Sequence, residues 1–491
     1  MTDATVSTRV TATGLEPALE PASSSPAQNR KARKNAAKDP KRKITWDRVW
    51  AQRALLAMAV PLLMYQILFK YVPVYGWAIA FQNFKPGRGS IWNQKWVGLH
   101  NFVNLFTGVM GERFARVVVN TMGQSVLTLI VGTFGAIVLA LLLNEVKNAP
   151  FKRIMQNITY MPHFLSWVIV ASLASVALSL PSSGGFINQA LMSAHLVDKP
   201  VLFLTQPNYF WGIVAGTSLW KELGWNTILY LAAMTAIDPS LYEAAEVDGA
   251  GRYRKMFSIT LPGIRPTIVV LLIINSGWIL STNFELPYFL GNGLISETAE
   301  TIDVFVLTLY FDAGLIPNYL LIKDLGMLNS FQAYWVPTII SAFNLIILRT
   351  YMKSIPDEIT ESARVDGAGE FRTWWQIVMP LCKPALAVVG LFVAVGSWNS
   401  WLDTLLYNSG DQALSTLQYE LQKLLASSMN AGANSANVAG NAASVGSGGQ
   451  LTTPIALRSA ITMVAAVPIL FVYPFLQKHF VGGLTIGSVK G

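Results

Sequence analysis

The sequence predicts an all-α, polytopic bundle of about eight membrane-spanning helices. Three observations carry that reading. Of the 491 residues, 52% are hydrophobic and 13% charged, with a mean hydropathy of +0.42; an average soluble domain carries about 25% charged residues. Apolar runs near the roughly 20 residues that cross a hydrocarbon core recur at 53–73, 119–145, 156–179, 209–236, 266–288, 331–352, 384–405 and 455–477. Between these runs one polar, turn-bearing stretch occurs twice. The first copy is Glu243-Ala-Ala-Glu-Val-Asp-Gly-Ala-Gly251 with Ile259-Thr-Leu-Pro262, and the second is Glu361-Ser-Ala-Arg-Val-Asp-Gly-Ala-Gly369 with Ile377-Val-Met-Pro380. Their offset of 118 residues (361 − 243) also pairs Asn226 with Asn344, Met234 with Met352 and Pro266 with Pro384.

From the beginning, residues 1–45 are rich in Ala, Ser, Thr and Pro and then basic, without the apolar core of a signal peptide; they are expected to form a disordered cytoplasmic tail. Basic residues in that tail and in the short loop 147–153 orient both toward the cytoplasm. Counting spans onward puts both repeated stretches and the C-terminus on the same side. The segment 301–321 is interrupted by Asp303, Asp312, Gly314 and Pro317, so it is expected outside the membrane; 427–450 is Ala/Asn/Ser/Gly-rich and reads as a flexible external loop. The formal charge of +9 sits largely at these topogenic positions, which favours membrane orientation over a nucleic-acid partner. One cysteine, Cys382, and four histidines exclude an intramolecular disulfide and argue against a metal enzyme; no cofactor is expected.

Each repeat reads as two short helices meeting at a glycine elbow. Asp238 is a plausible N-cap, Pro239 suits the first turn, and Gly249 suits the left-handed residue that ends a helix. A second helix follows until Pro262 stops it. Tyr253, Met256 and Phe257 fall on one face of it, answered by Phe371, Trp374 and Trp375. The pattern resembles the cytoplasmic coupling loop of permease subunits of binding-protein-dependent ABC importers, above all the maltose-permease-like carbohydrate branch. Tyr160-Met-Pro-His-Phe164 with Trp167, Trp220-Lys-Glu-Leu-Gly-Trp225 and Tyr473-Pro-Phe-Leu-Gln-Lys-His-Phe480 agree, so the resemblance covers nearly everything after Trp46. It implies a type I importer permease fold, a cytoplasmic ATPase dimer, an extracytoplasmic solute-binding protein, a carbohydrate substrate and a further permease subunit as a possible partner. A pair of such subunits would carry about six spans each. The chain therefore reads as two neighbouring subunits fused across an internal deletion near 307–313: a first half, 46–310, with loop 238–266, and a truncated second half, 311–491, with loop 354–384.

No phosphate-binding loop or hydrolase elbow is present, so an ATP-driven engine must be a separate subunit. The residues expected at the ATPase are Glu243, Ala244, Ala245, Asp248, Gly249, Tyr253, Phe257 and Pro262, then Glu361, Ala363, Asp366, Gly367, Phe371, Trp375 and Pro380. Tyr253, Phe257, Phe371 and Trp375 are the apolar anchors; Glu243, Asp248, Glu361 and Asp366 are expected to cap or cross-brace the elbow. Candidates for the translocation path are Lys221 and Glu222, costly in mid-span, with Ser276, Trp278, Asn283, Ser397, Trp398 and Asn399. Lys221 and Glu222, pointing about 100° apart, are not expected to share a partner. Trp401 reads as an interfacial aromatic, and His163 and Trp167 as packing. The function expected is a non-enzymatic permease component of a carbohydrate ABC importer. An ion-coupled secondary transporter, or a transport-inactive fusion, is the alternative.

Overall fold

The computed structural model describes residues 53–84, 91–277, 279, 284–310, 316–438 and 459–471. The basic tail, Trp278, Asn283, residues 311–313 of the expected junction, 439–450 and everything after Phe471 lie outside the described residues. Of the described residues, 53–61 belong to a separate compact unit. The architecture is helical. Its described strands are a two-residue antiparallel ladder, Gln82 opposite Trp96 and Asn83 opposite Lys95.

The principal helices are α1 (Arg53–Gln66), α2 (Gly108–Glu145), α3 (Ala149–Tyr160), α4 (Trp167–Ala177), α5 (Pro207–Thr235), α6 (Pro239–Val247), α7 (Arg265–Ser276), α8 (Glu285–Leu290), α9 (Ala342–Met352), α10 (Asp357–Val365), α11 (Lys383–Asn399) and α12 (Leu417–Val438), with α13 at Ser459–Phe471. About eight spans were expected, and described helices occupy those places, several of them bent. Among the described residues two helices are long and apolar enough to cross a membrane unbroken, Leu56–Phe81 and Gly108–Glu145. Four more candidates are bent pairs. The pair Ala149–Phe164 and Trp167–Ala177 meets at 106°, and Arg252–Gly263 meets Arg265–Ser276 at 54°. Gln332–Thr338 and Ala342–Met352 meet at 50°, and Glu370–Leu381 and Lys383–Asn399 at 74°. The 29-residue α5 is about 43 Å long, with Lys221 and Glu222 at its middle. The expected span 266–288 is helical as α7 only to Ser276, and α8 is a separate helix.

The expected loop 427–450 is helical at its start, because α12 runs through Val438. Its Leu421 and Leu425 are wholly buried in the main core with Ile169, Phe210, Leu286, Leu290 and Trp401, and Ala-rich chain beyond them propagates the helix. Segment 301–321 contributes a helix, Ile302–Tyr310, whose Phe305 is buried. Its ring lies 5.9 Å from that of Phe114, near the N-terminal end of α2. A second core sits at the opposite end of α2, where Ala136, Ala140 and Leu141 pack with Tyr230, Met234 and Ile264.

Small residues let these helices approach, as polar and small side chains do within bilayers. A tight case between helices is Gly224: a Cβ there would lie 2.2 Å from the Thr159 carbonyl oxygen and 2.6 Å from the Tyr160 ring. Gly224→Leu should therefore push α5 off the end of α3, at about 1–3 kcal/mol for overpacking. The expected result is a lowered thermal midpoint of the purified chain in detergent, with Gly212→Leu, in open space, as the neutral control.

Candidate functional site

Two features are built from the residues singled out above: a pair of elbows and a buried polar junction. Each elbow begins as a helix closed by the same reciprocal cap. At the end of α6 the Gly249 amide donates to the Glu246 carbonyl (3.0 Å) and the Ala250 amide to the Ala245 carbonyl (2.8 Å). At the end of α10 the Gly367 amide donates to Arg364 (3.0 Å) and the Ala368 amide to Ala363 (2.9 Å). This is the Schellman arrangement, which needs a left-handed residue after the cap. Gly249 and Gly367 supply it with φ +72° and +79°. Asp238 caps the start of α6, its carboxylate accepting from the Ser240 amide at 2.9 Å. That bond holds the Asp238 carboxyl below its ordinary range. The second copy begins differently, with Pro356 at the cap position and Asp357 and Glu358 in the first turn.

Beyond the elbow the prolines do not stop the helix as the sequence suggested. Arg252–Lys255 passes into a π-turn, Met256–Thr260, and then Leu261–Gly263, with Pro262 inside. Glu370–Thr373, the π-turn Trp374–Val378 and Met379–Leu381, with Pro380 inside, repeat this in register. A proline lacks the amide an α-helix requires and its ring strikes the carbonyl four residues back; a widened turn removes both conflicts. The bend comes after the proline-bearing turn, not at it. The widened turn also splits the expected apolar face. Met256 packs inward against the Ile264 core, while Tyr253 and Phe257 are 77% and 61% exposed, and Phe371 and Trp375 63% and 58%.

Val247 and Val365 were not among the expected docking residues, yet they are 89% and 87% exposed. Their signal was available: an apolar residue at the same register just before Asp-Gly in both copies. Glu243, Ala244, Asp248, Glu361 and Asp366 are also exposed. Asp248 and Asp366 stand at the C-cap positions through their backbone amides. The carboxylates of Glu243, Asp248, Glu361 and Asp366 make no hydrogen bond or ion pair among the described residues, so they are not the cross-brace. That is supplied by Lys255–Glu246 (3.3 Å) in the first elbow and Arg364–Glu370 (3.0 Å) in the second. The charges are reversed at equivalent positions, Glu246 matching Arg364 and Arg252 matching Glu370.

The polar junction lies where α3 and α4 break. Lys221, 4% exposed, donates its ammonium to the His163 carbonyl, lies 3.2 Å from Glu222 Oε1 and sits 4.8 Å above the Trp167 ring. Glu222 Oε2 is 2.7 Å from His163 Nδ1, and the imidazole stacks on Trp225 at 4.4 Å. Lys221 and Glu222 thus do share a partner, because one reaches the backbone of His163 and the other its ring. His163 and Trp167 are members of this ionic cluster rather than packing alone. Trp401, expected at an interface, is 2% exposed; its indole donates to Glu285 Oε1 at 2.8 Å and stacks on Tyr288.

A cavity of about 510 Å³ lies between α2, α5 and α7, within the usual range of small-molecule sites. From α5 it is lined by Ser218, Glu222, Asn226 and Tyr230, spaced four apart and hence on one face, and from α2 by Gln124 and Thr128. Among the expected path residues that are described, Glu222 alone lines it. Ser276 bonds the Ile273 carbonyl of its own helix, Ser397 is exposed, Trp398 donates to Ala465 O and Asn399 to Phe164 O, each at 3.0 Å. The four-residue polar spacing in an otherwise apolar run was the overlooked sequence signal.

Bent helical spans, a lined cavity and two matching elbows define a membrane component built to move a solute. The chain belongs to the family described as binding-protein-dependent transport system inner membrane component, which matches residues 132–321 and again 302–486. It is 44% identical over 271 residues to the polygalacturonan/rhamnogalacturonan transport system permease protein YteP of Bacillus subtilis (strain 168), covering 55% of this chain and 82% of that protein. It is 40% identical over 252 residues to protein LplB of the same organism, covering 51% and 77%. A crystallised bacterial ABC transporter involved in import of the acidic polysaccharide alginate includes a chain 37% identical, with a TM-score of 0.49, covering 57% of this chain and 92% of that one.

The Asp238 cap carries a pH dependence of defined sign. Its folded carboxyl titrates below the ordinary value of about 3.9, so its contribution is full above that pH and is lost as pH falls through the folded value. Hydrogen exchange should show protection of the Ser240 amide weakening below about pH 4 in the wild type. Asp238→Asn, an equally good cap, should show no such step.

Proposed function

We propose that this chain is the non-enzymatic membrane component of a carbohydrate importer, driven by separate ATPase subunits that grip its two elbows from the cytoplasm. The observation that carries this is the paired presentation of apolar side chains: Val247, Tyr253 and Phe257 on one elbow, Val365, Phe371 and Trp375 on the other, each 58–89% exposed. Each anchor buried in a partner's groove would stabilise the dock by about 1.5–3 kcal/mol. Gly249 and Gly367 fix the angle at which they are offered. Both termini lie on the elbow side in this reading, and a solute-binding protein, named in the family's own description, delivers substrate from the other. The transport-system names of the relatives support an oligosaccharide. The cavity beside Glu222 and Asn226, with its hydroxyl and amide lining, is the part of the path suited to sugar hydroxyls.

The two family matches support the fused reading, since 132–321 contains the first elbow and 302–486 the second. They overlap at 302–321, around the proposed junction at 307–313. Ion-coupled transport remains a second reading because of the Lys221–Glu222–His163 cluster, but it leaves the elbows without a task.

Uptake into proteoliposomes holding this chain as sole permease, with an ATPase dimer and binding protein of the carbohydrate class, is expected to require internal ATP and to survive a protonophore. The reverse pattern would overturn the ATP-driven reading, and no uptake under either condition would support the inactive fusion. Gly249→Val with Gly367→Val should abolish ATPase co-purification, since each forces a β-branched residue to positive φ at about 1–2 kcal/mol or more. Tyr253→Ser and Phe371→Ser should each weaken association about tenfold or more, as 1.4 kcal/mol is a factor of ten. Unaltered co-purification of all three variants would count against the elbows as the dock.

A further inference from the structure

The 106° break between Ala149–Phe164 and Trp167–Ala177 leaves carbonyls that helical geometry cannot satisfy, inside the expected span 156–179. Two of them have side-chain donors of different origin. The His163 carbonyl receives the Lys221 ammonium from α5, within the first family match. The Phe164 carbonyl receives the Asn399 amide at 3.0 Å, from the last residue of α11, within the second match.

Asn399 is not alone in bridging the two matches here. Ser166, which caps α4 by accepting from the Ile169 amide, donates its hydroxyl to Gln418 Oε1 at 2.7 Å. Ser172 and Thr462 hydroxyls lie 3.0 Å apart, and Trp401 reaches Glu285. Four short polar contacts therefore join the two matches, two of them at Phe164 and Ser166 of the break itself. The Asn399 amide oxygen is buried with no hydrogen-bond partner among the described residues, so only its donor half is used.

We infer that Asn399 is a latch: its amide closes the seam between the two repeats at the break, and is the bond that must be released when they separate. Lys221 differs, because its partner lies in its own repeat and the bond can persist through such a motion. Lys221 then holds the shape of the break, and is a positioning residue rather than a substrate contact. This rests on the transport reading for its consequence, though not for its geometry.

The geometry is tested in membrane vesicles containing the full chain with Cys382→Ser, Ser172→Cys and Thr462→Cys. Copper phenanthroline should cross-link this pair rapidly. Adding Asn399→Asp, which keeps the volume but turns the donor into an acceptor facing a carbonyl, should slow cross-linking about tenfold, an amount within the range of one lost buried hydrogen bond. Lys221→Arg, which retains donors, should leave the rate unchanged. An undiminished rate with Asn399→Asp and with Asn399→Leu would overturn the latch.

In the uptake assay Asn399→Asp, by removing a bond that must break, should raise the maximal rate with less than about a twofold change in half-saturating substrate concentration, the pattern of a step after binding. Lys221→Arg should leave the half-saturating concentration of an oligogalacturonide probe unchanged. A raised value with normal cross-linking would instead make Lys221 a substrate contact and overturn its assigned role. If the wild type takes up nothing, the transport reading fails, while the cross-linking rates still judge the latch.

Discussion

The structure depends on one constraint: a helix that breaks inside hydrocarbon must have its freed backbone groups satisfied by other parts of the protein. An unmade buried hydrogen bond costs about 1–3 kcal/mol, and more where no water can substitute. The bent spans are tolerated because such partners exist. Lys221 and Asn399 serve the carbonyls at the first break. Tyr65, from α1, donates to the Val336 carbonyl at 2.8 Å in the pair Gln332–Thr338 and Ala342–Met352. The buried charge and the buried amide thus have a structural reason to be where they are, and the ionic cluster around His163 follows from it. Once Lys221 is brought under the break, Glu222 and Trp167 offset the cost of its desolvation.

The elbows obey a different economy, since their requirements are local. The alternation Ala-x-x-Asp-Gly-Ala encodes a complete helix ending: small residues at both ends of the six-to-one bond, an acid at the cap, and the one residue type at ease with positive φ. The helix–glycine–helix shape was therefore legible in the sequence, down to Asp238 as a cap. The paired knobs Tyr253 and Phe257, and Phe371 and Trp375, were legible from their spacing for the same reason.

What could not be read depended on distant chain. The π-turns need knowledge of how Pro262 and Pro380 are accommodated. Trp401 looks interfacial by its neighbours and is buried because Glu285, more than a hundred residues earlier, meets its indole (|i−j| = 116). Asn399 looked like path lining because an amide in an apolar run advertises polarity, whereas its partner is a backbone carbonyl (|i−j| = 235). The helical class was evident from composition and run length. The breaks were not, since the same twenty-odd apolar residues serve a straight rod or a bent pair, and tertiary donors decide between them.

The widened turn ahead of each proline has a geometric consequence of its own. A π-turn holds one residue more than the α-helical turn it replaces, so everything downstream is rotated by about 100° relative to an unbroken helix. That single inserted step decides which side of the following span looks back over the elbow. Because Met256–Thr260 and Trp374–Val378 carry it at the same register, both handles share this step, and a substitution that let either turn close to α geometry with no residue removed would leave the pair turned out of phase.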